Sequence, residues 1–164
     1  MDRMQRSVSR EPVEMTGGER RPCNGNRRVA AHRRAECTAM NPVSHFEIPV
    51  QDMERAIRFY RAVFGYAFER TTIDGNDMAF FPHAENSGGA SGALAKGDSY
   101  LPGKSGARIY FSVPDIQTAL ARAIQAGGAV LYPETEAGSF GFVAEIEDLE
   151  GNCIALHAAP RANA

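Results

Sequence analysis

The chain repeats itself at an offset of 63 residues. Val50 lands on Val113, Asp52 on Asp115, Met53 on Ile116, Ala56 on Ala119, Ile57 on Leu120 and Gly65 on Gly128. Each copy opens with a strand-like run, SHFEIPV at Ser44–Val50 and RIYFSV at Arg108–Val113. Alternation in the first run sets Phe46, Ile48 and Val50 on one side and His45, Glu47 and Pro49 on the other, the pattern of a half-buried strand. Asp52 and Asp115 then stand where helix N-caps belong, Asp115 directly behind Pro114. Met53, Ala56, Ile57, Tyr60 and Phe64 form one helical stripe, and Ile116, Ala119, Leu120, Ala123 and Ile124 form the other. Gly65 and the pair Gly127–Gly128 end these helices. Three strands follow in each copy: Tyr66–Thr72, Asp77–His83 and Ala93–Lys96, then Ala129–Tyr132, Phe140–Glu147 and Asn152–His157. Turns at Ile73–Asp77 (IDGND) and Asp148–Gly151 (DLEG) join neighbouring strands.

A βαβββ unit of about 50–60 residues buries too little surface to stand alone, so each copy must cover the other. The predicted fold is α+β: two tandem βαβββ modules forming a curved, mixed, eight-stranded sheet with one helix per module on its outside. The sheet face away from the helices would line a cup, a common ligand site. Module one spans 43–97, a linker with Pro102, Gly103 and Gly106 spans 98–106, and module two spans 107–159. Together they make a domain of 41–160, followed by a tail at 161–164. The run Ser87–Gly92 does not lead from a strand into a helix, so it is not a phosphate loop; a lid over the cup is the reading that fits it.

Composition separates the first forty residues from this domain. They hold nine arginines, no lysine and five acids (9 − 5 = +4), whereas residues 41–164 hold nine basic and fifteen acidic residues (9 − 15 = −6). Residues 1–40 contain no Phe, Tyr, Trp, Leu or Ile, and are therefore expected to be disordered. Two readings of this Arg-rich stretch stand. It is a nucleic-acid-binding arm, or Met40 is the native start and 1–39 is translated upstream sequence; the second is favoured because aromatic residues are absent and acids are interspersed. No stretch has the roughly 18 apolar residues of a membrane span. Cys23, Cys37 and Cys153 are odd in number and widely spaced, which argues against a disulfide framework and for a reducing cytoplasm.

HFEIPVQDMERAIRFYRAVFGY, the doubled βαβββ order and EDLEGNCIAL together resemble the vicinal oxygen chelate superfamily. That superfamily includes glyoxalase I, bleomycin-resistance proteins, fosfomycin-resistance enzymes, methylmalonyl-CoA epimerase and extradiol dioxygenases. The chain looks most like its lactoylglutathione-lyase-related group, and the likeness covers about residues 42–159. The resemblance implies a homodimer and a cup holding one divalent metal (Ni, Zn, Mn or Fe), ligated from the first and last strand of each repeat. Those positions fall here on His45, Ala93, Arg108 and Ala155.

Only His45 of these four can ligate, since two are methyl groups and Arg108 does not give up its proton. The first expectation is therefore a metal-independent protein, similar to the bleomycin-resistance branch, that binds a small organic molecule. No cofactor, membrane or nucleic-acid partner is expected with it. Arg108 would grip an anionic group or pair with Glu47. Tyr110, Phe80, Phe142, Cys153 and His157 would line the cup. The alternative is a metal-dependent lyase or isomerase of glyoxalase type, less readily a dioxygenase, with a reorganised site of His45, Glu47 and His157. In that reading His45 and Glu47 are the catalytic candidates.

Overall fold

Asp52 and Asp115 both take the extended backbone of an N-cap. Asp52 accepts from the Arg55 amide at 2.9 Å and Asp115 from the Thr118 amide at 2.6 Å. These caps start helix α1 (Met53–Phe64) and helix α2 (Ile116–Gln125). Gly65 ends α1 with φ +76°, a left-handed conformation that a Cβ would oppose. The computed structural model describes residues 41–84 and 89–161. All of these belong to the unit spanning 39–164. The expectations for residues 1–40, for 85–88 of the Gly/Ser run and for 162–164 of the tail lie outside the described residues.

The eight strands are β1 (His45–Pro49), β2 (Glu69–Ile73), β3 (Asn76–Phe80), β4 (Ser91–Lys96), β5 (Tyr110–Ser112), β6 (Ala129–Glu136), β7 (Phe142–Glu147) and β8 (Cys153–Ala158). Each module has the same topology. β1 runs parallel to β4, and the sheet continues antiparallel through β3 to β2; β5, β8, β7 and β6 repeat that order. The β2–β3 hairpin turns through Asp74 and Gly75, both at positive φ, as a two-residue turn requires. β6 runs longer than the sequence reading, to Glu136, with register shifts on either side of Tyr132.

The α+β fold of two tandem βαβββ modules is present, its eight strands divided into two four-stranded mixed sheets, one per module. Among the described residues no ladder joins the edge strands β1 and β5. β5 is three residues long and spends its pairing on β8. The two edges meet through side chains instead: Phe46 and Phe111 contact edge to face, with ring centroids 6.0 Å apart. Around them a single core joins both modules, from Ile48, Met53, Phe59, Tyr60 and Leu94 to Phe111, Ile116, Ile146, Ile154 and Leu156. A smaller apolar cluster of Met78, Ala93 and Ala95, packed by Phe80 and Tyr100, lies on the helix-free face of the first sheet. The Phe46 ring covers Gly92, where a Cβ would run into it.

The modules are tied by polar groups of the β7–β8 turn. The Glu150 side chain, 1% exposed, accepts from the Gln51 and Asp52 amides at 2.9 and 3.1 Å and from Nε and Nη2 of Arg55 at 2.7 and 3.0 Å. Asp148 accepts from the buried Tyr60 hydroxyl at 2.9 Å, and Asn152 Nδ2 donates to the Pro49 carbonyl at 2.9 Å. Burial pushes the Glu150 carboxyl up, but Arg55 and the two amides outweigh it and hold the group below its usual value. A depressed folded value stabilises the fold above the ordinary glutamate value, near pH 4.5, and that contribution is lost as pH falls through the folded value. Glu150→Gln is therefore expected to cost about 2 kcal/mol in urea denaturation at pH 7, because two amides and Arg55 lose a charged acceptor. It is also expected to flatten the acid limb of the stability profile; a variant with wild-type stability at pH 7 would contradict this role.

Candidate functional site

Register sorts the helix-free faces into matching rows. In the first sheet Glu47 pairs with Ala93, and Ala93 with Phe80. In the second, Tyr110 pairs with Ala155, and Ala155 with Glu145. Ala93 and Ala155 are thus equivalent, and both are 0% exposed. Each has only a methyl group where a carboxylate ligand would stand.

On the first sheet His45 lies beside Ser91. The Ser91 hydroxyl donates to the Ser44 carbonyl at 3.0 Å, so His45 Nδ1 donates to Ser91 Oγ at 2.7 Å. That leaves His45 Nε2 facing Glu47, 3.7 Å from Oε1. Glu47 Oε2 accepts a 2.7 Å hydrogen bond from the Tyr100 hydroxyl. This bond is the main reason that the Tyr100 phenol holds its proton above the ordinary tyrosine value. The result is two hydrogen-bonded pairs side by side, Ser91–His45 and Glu47–Tyr100, whose last member comes from the linker. Phe80 lies behind them, its ring centroid 5.9 Å from that of His45.

On the second sheet Arg108 pairs with Glu145, not with Glu47. Its Nε donates to Glu145 Oε1 at 2.9 Å and its Nη1 to the Lys104 carbonyl at 3.0 Å. The Cys153 thiol donates to the other Glu145 oxygen at 3.4 Å. Lys104 Nζ meets Glu147 at 2.7 Å. Burial raises the Cys153 thiol, and the Glu145 carboxylate raises it further, against a smaller opposite pull from Arg108 and Lys104. His157 is occupied elsewhere, its Nε2 2.7 Å from the Phe140 carbonyl and its ring 4.4 Å from the Phe140 ring. Tyr110 is half exposed and presents its ring edge-on to Phe140.

Two sequence readings change here. Phe142 leaves the cup: its alternation with Ala144 and Ile146 turns it to the core side, where the Arg161 guanidinium sits over its ring at 4.4 Å. The trio of His45, Glu47 and His157 does not assemble. His45 and Glu47 meet, but among the described residues no three His, Cys, Asp or Glu side chains converge as a metal would need.

A cleft of about 840 Å³ opens between β1 and β5. Its walls carry Phe46 and Glu47 from the first module and Arg108, Ile109, Tyr110 and Phe111 from the second. This falls within the range of about 300–1,000 Å³ typical of small-molecule sites. Glu145, Lys104 and Tyr100 were missed in the sequence. Glu145 had a signal, since Val143, Glu145 and Glu147 alternate with core Ala144 and Ile146; the two linker residues had none.

The family profile of the Glyoxalase/Bleomycin resistance protein/Dioxygenase superfamily matches residues 43–156. The chain belongs to this superfamily. It is 31% identical to a glyoxylase-like domain-containing protein of Didymella fabae over 125 residues, 72% of this chain and 94% of the relative. Among solved structures it is similar to TnmS3, an antibiotic binding protein of a Streptomyces species, at 25% identity and a TM-score of 0.56, covering 74% of this chain and 98% of that one. It is also similar to a glyoxylase/bleomycin resistance protein/dioxygenase domain of a Frankia species, at 21% identity and a TM-score of 0.59, covering 76% and 96%. The second likeness is one of fold alone.

The superfamily's metal does not fit the residues present. Two of its four positions are buried methyl groups and a third is a guanidinium already paired with Glu145. At the second face burial, and after it the Glu145 carboxylate, raise the Cys153 thiol above its ordinary value. Glu145→Gln is expected to speed alkylation of Cys153 by iodoacetamide several-fold at pH 8, read at the Cys153 peptide by mass spectrometry. Unchanged rates would show that burial alone sets the thiol.

Proposed function

We propose that this chain binds a small organic molecule in the β1–β5 cleft, without the four-donor metal set of its superfamily. The observation that carries this reading is the pair Ala93 and Ala155, equivalent in register, fully buried and without a donor atom. An antibiotic-binding relative at 25% identity supports it. The cleft supplies what such binding uses: aromatic walls at Phe46, Tyr110 and Phe111, and polar groups at Glu47 and Arg108. Phe80 and Cys153 lie on the adjoining sheet faces, and His157 packs on Phe140, which in turn meets the Tyr110 ring.

A homodimer is part of the same proposal. Tyr110, Val130, Leu131, Tyr132 and Phe140 are exposed on module two, an apolar set that a second copy would cover. We place the protein in the cytoplasm, on the odd and widely spaced cysteines of its sequence.

A second reading rests on one contact, that of His45 Nε2 with Glu47 Oε1 at 3.7 Å. A histidine beside a carboxylate suits the proton transfer of a metal-dependent lyase or isomerase of glyoxalase type. It would show as turnover of hemithioacetals, lost in His45→Ala.

A thermal-shift screen of drug-sized aromatic compounds, run in EDTA, separates the two readings. The expected result is stabilisation by several degrees with some compounds, at least tenfold weaker binding in Tyr110→Ala, and no dependence on added metal. Stabilisation that requires added metal would overturn the proposal.

A further inference from the structure

The two modules occupy equivalent places at the cleft but carry different charges there. The repeat sets His45 opposite Arg108 and Glu47 opposite Tyr110. The first module therefore offers a carboxylate and the second a guanidinium. Glu47 receives one hydrogen bond on Oε2, from Tyr100, and its Oε1 has only His45 at 3.7 Å. No Lys or Arg pairs with it among the described residues. Arg108 commits Nε to Glu145 and one Nη1 proton to the Lys104 carbonyl, and its remaining N–H groups have no partner among the described residues. Both side chains remain reachable, Glu47 at 36% and Arg108 at 40% exposure. The other acids of the second face are neutralised where they stand, Glu145 by Arg108 and Glu147 by Lys104. The same cleft is lined by the aromatic side chains Phe46, Tyr110 and Phe111.

We infer that the cleft selects amphoteric aromatic ligands: a flat conjugated body with an amine or other donor turned to Glu47 and a carboxylate or other anionic oxygen turned to Arg108. The inference rests on the cleft reading above and adds the ligand class to it. A neutral aromatic would fill the walls and leave Glu47 Oε1 and the remaining Arg108 N–H groups without hydrogen-bond partners as it excludes water. A ligand with one polar group satisfies one wall and leaves hydrogen-bonding groups of the other unfilled. Only a ligand with both groups meets each wall with its complement, Arg108 through its unused N–H fork.

Four fluorescent probes on one tricyclic frame test this: acridine, aminoacridine, acridine carboxylate and aminoacridine carboxylate, titrated into the full chain in EDTA at pH 7. The amino-carboxylate is expected to bind about tenfold tighter than either singly substituted probe. Arg108→Gln is expected to weaken both carboxylates about tenfold and leave aminoacridine unchanged. Glu47→Gln should weaken the two amines and leave acridine carboxylate unchanged. Thermal melts of both variants, with Arg108→Lys as a charge-retaining control that keeps part of the carboxylate affinity, separate loss of binding from loss of fold. Equal affinity for acridine and the amino-carboxylate would overturn the selectivity while leaving the cleft as the site. Binding of none of the four to folded protein, together with a failed compound screen, would remove the cleft reading itself.

Discussion

The buried turn at Asp148–Asn152 decides where everything else sits. It belongs to the second module, yet its side chains end on the first: Glu150 at the start of α1, Asp148 on Tyr60, Asn152 on the Pro49 carbonyl. A carboxylate buried to 1% exposure is costly unless its lone pairs are filled. Here two backbone amides and a bidentate arginine fill them, so the turn has one satisfactory place. That place brings β1 alongside β5. The cleft, with Glu47 on one wall and Arg108 on the other, follows from this docking rather than from any strand pairing between the sheets.

The same geometry explains why the site is built from hydrogen-bonded pairs. Ala93 and Ala155 bring only methyl groups to the two faces, and the carboxylates beside them pair within the protein. Glu47 takes the Tyr100 hydroxyl and approaches His45; Glu145 takes Arg108 and the Cys153 thiol. Tyr100 also covers the small apolar cluster of Met78, Ala93 and Ala95. The linker therefore does more than join the modules, because it completes one wall of the first face.

Much of the fold was legible because it is local or periodic. Asp52, Asp115 and Gly65 cap their helices as their residue types demand, and the 63-residue offset recovers both modules. Strand alternation placed Phe46 in the core and His45 and Glu47 on the open face. The same rule, applied to β7, would have sent Phe142 to the core and brought Glu145 to the face. What stayed hidden depends on distance in the chain. Nothing local in DLEG says that Glu150 reaches α1, 95 positions away from Arg55. Nothing periodic in the linker marks Tyr100 or Lys104 as partners of Glu47 and Glu147. The break between β1 and β5 was hidden too, since it follows from a three-residue β5 whose hydrogen bonds go to β8.

On the proposed reading the cup works without its superfamily's metal. Elemental analysis of the purified protein, after exposure to Ni, Zn, Mn and Fe(II) and desalting, tests it most directly. The account expects well under one tenth of a metal per chain, unchanged in His45→Ala. About one metal per chain or per dimer, lost in His45→Ala, would contradict it and restore the metal-dependent lyase or isomerase.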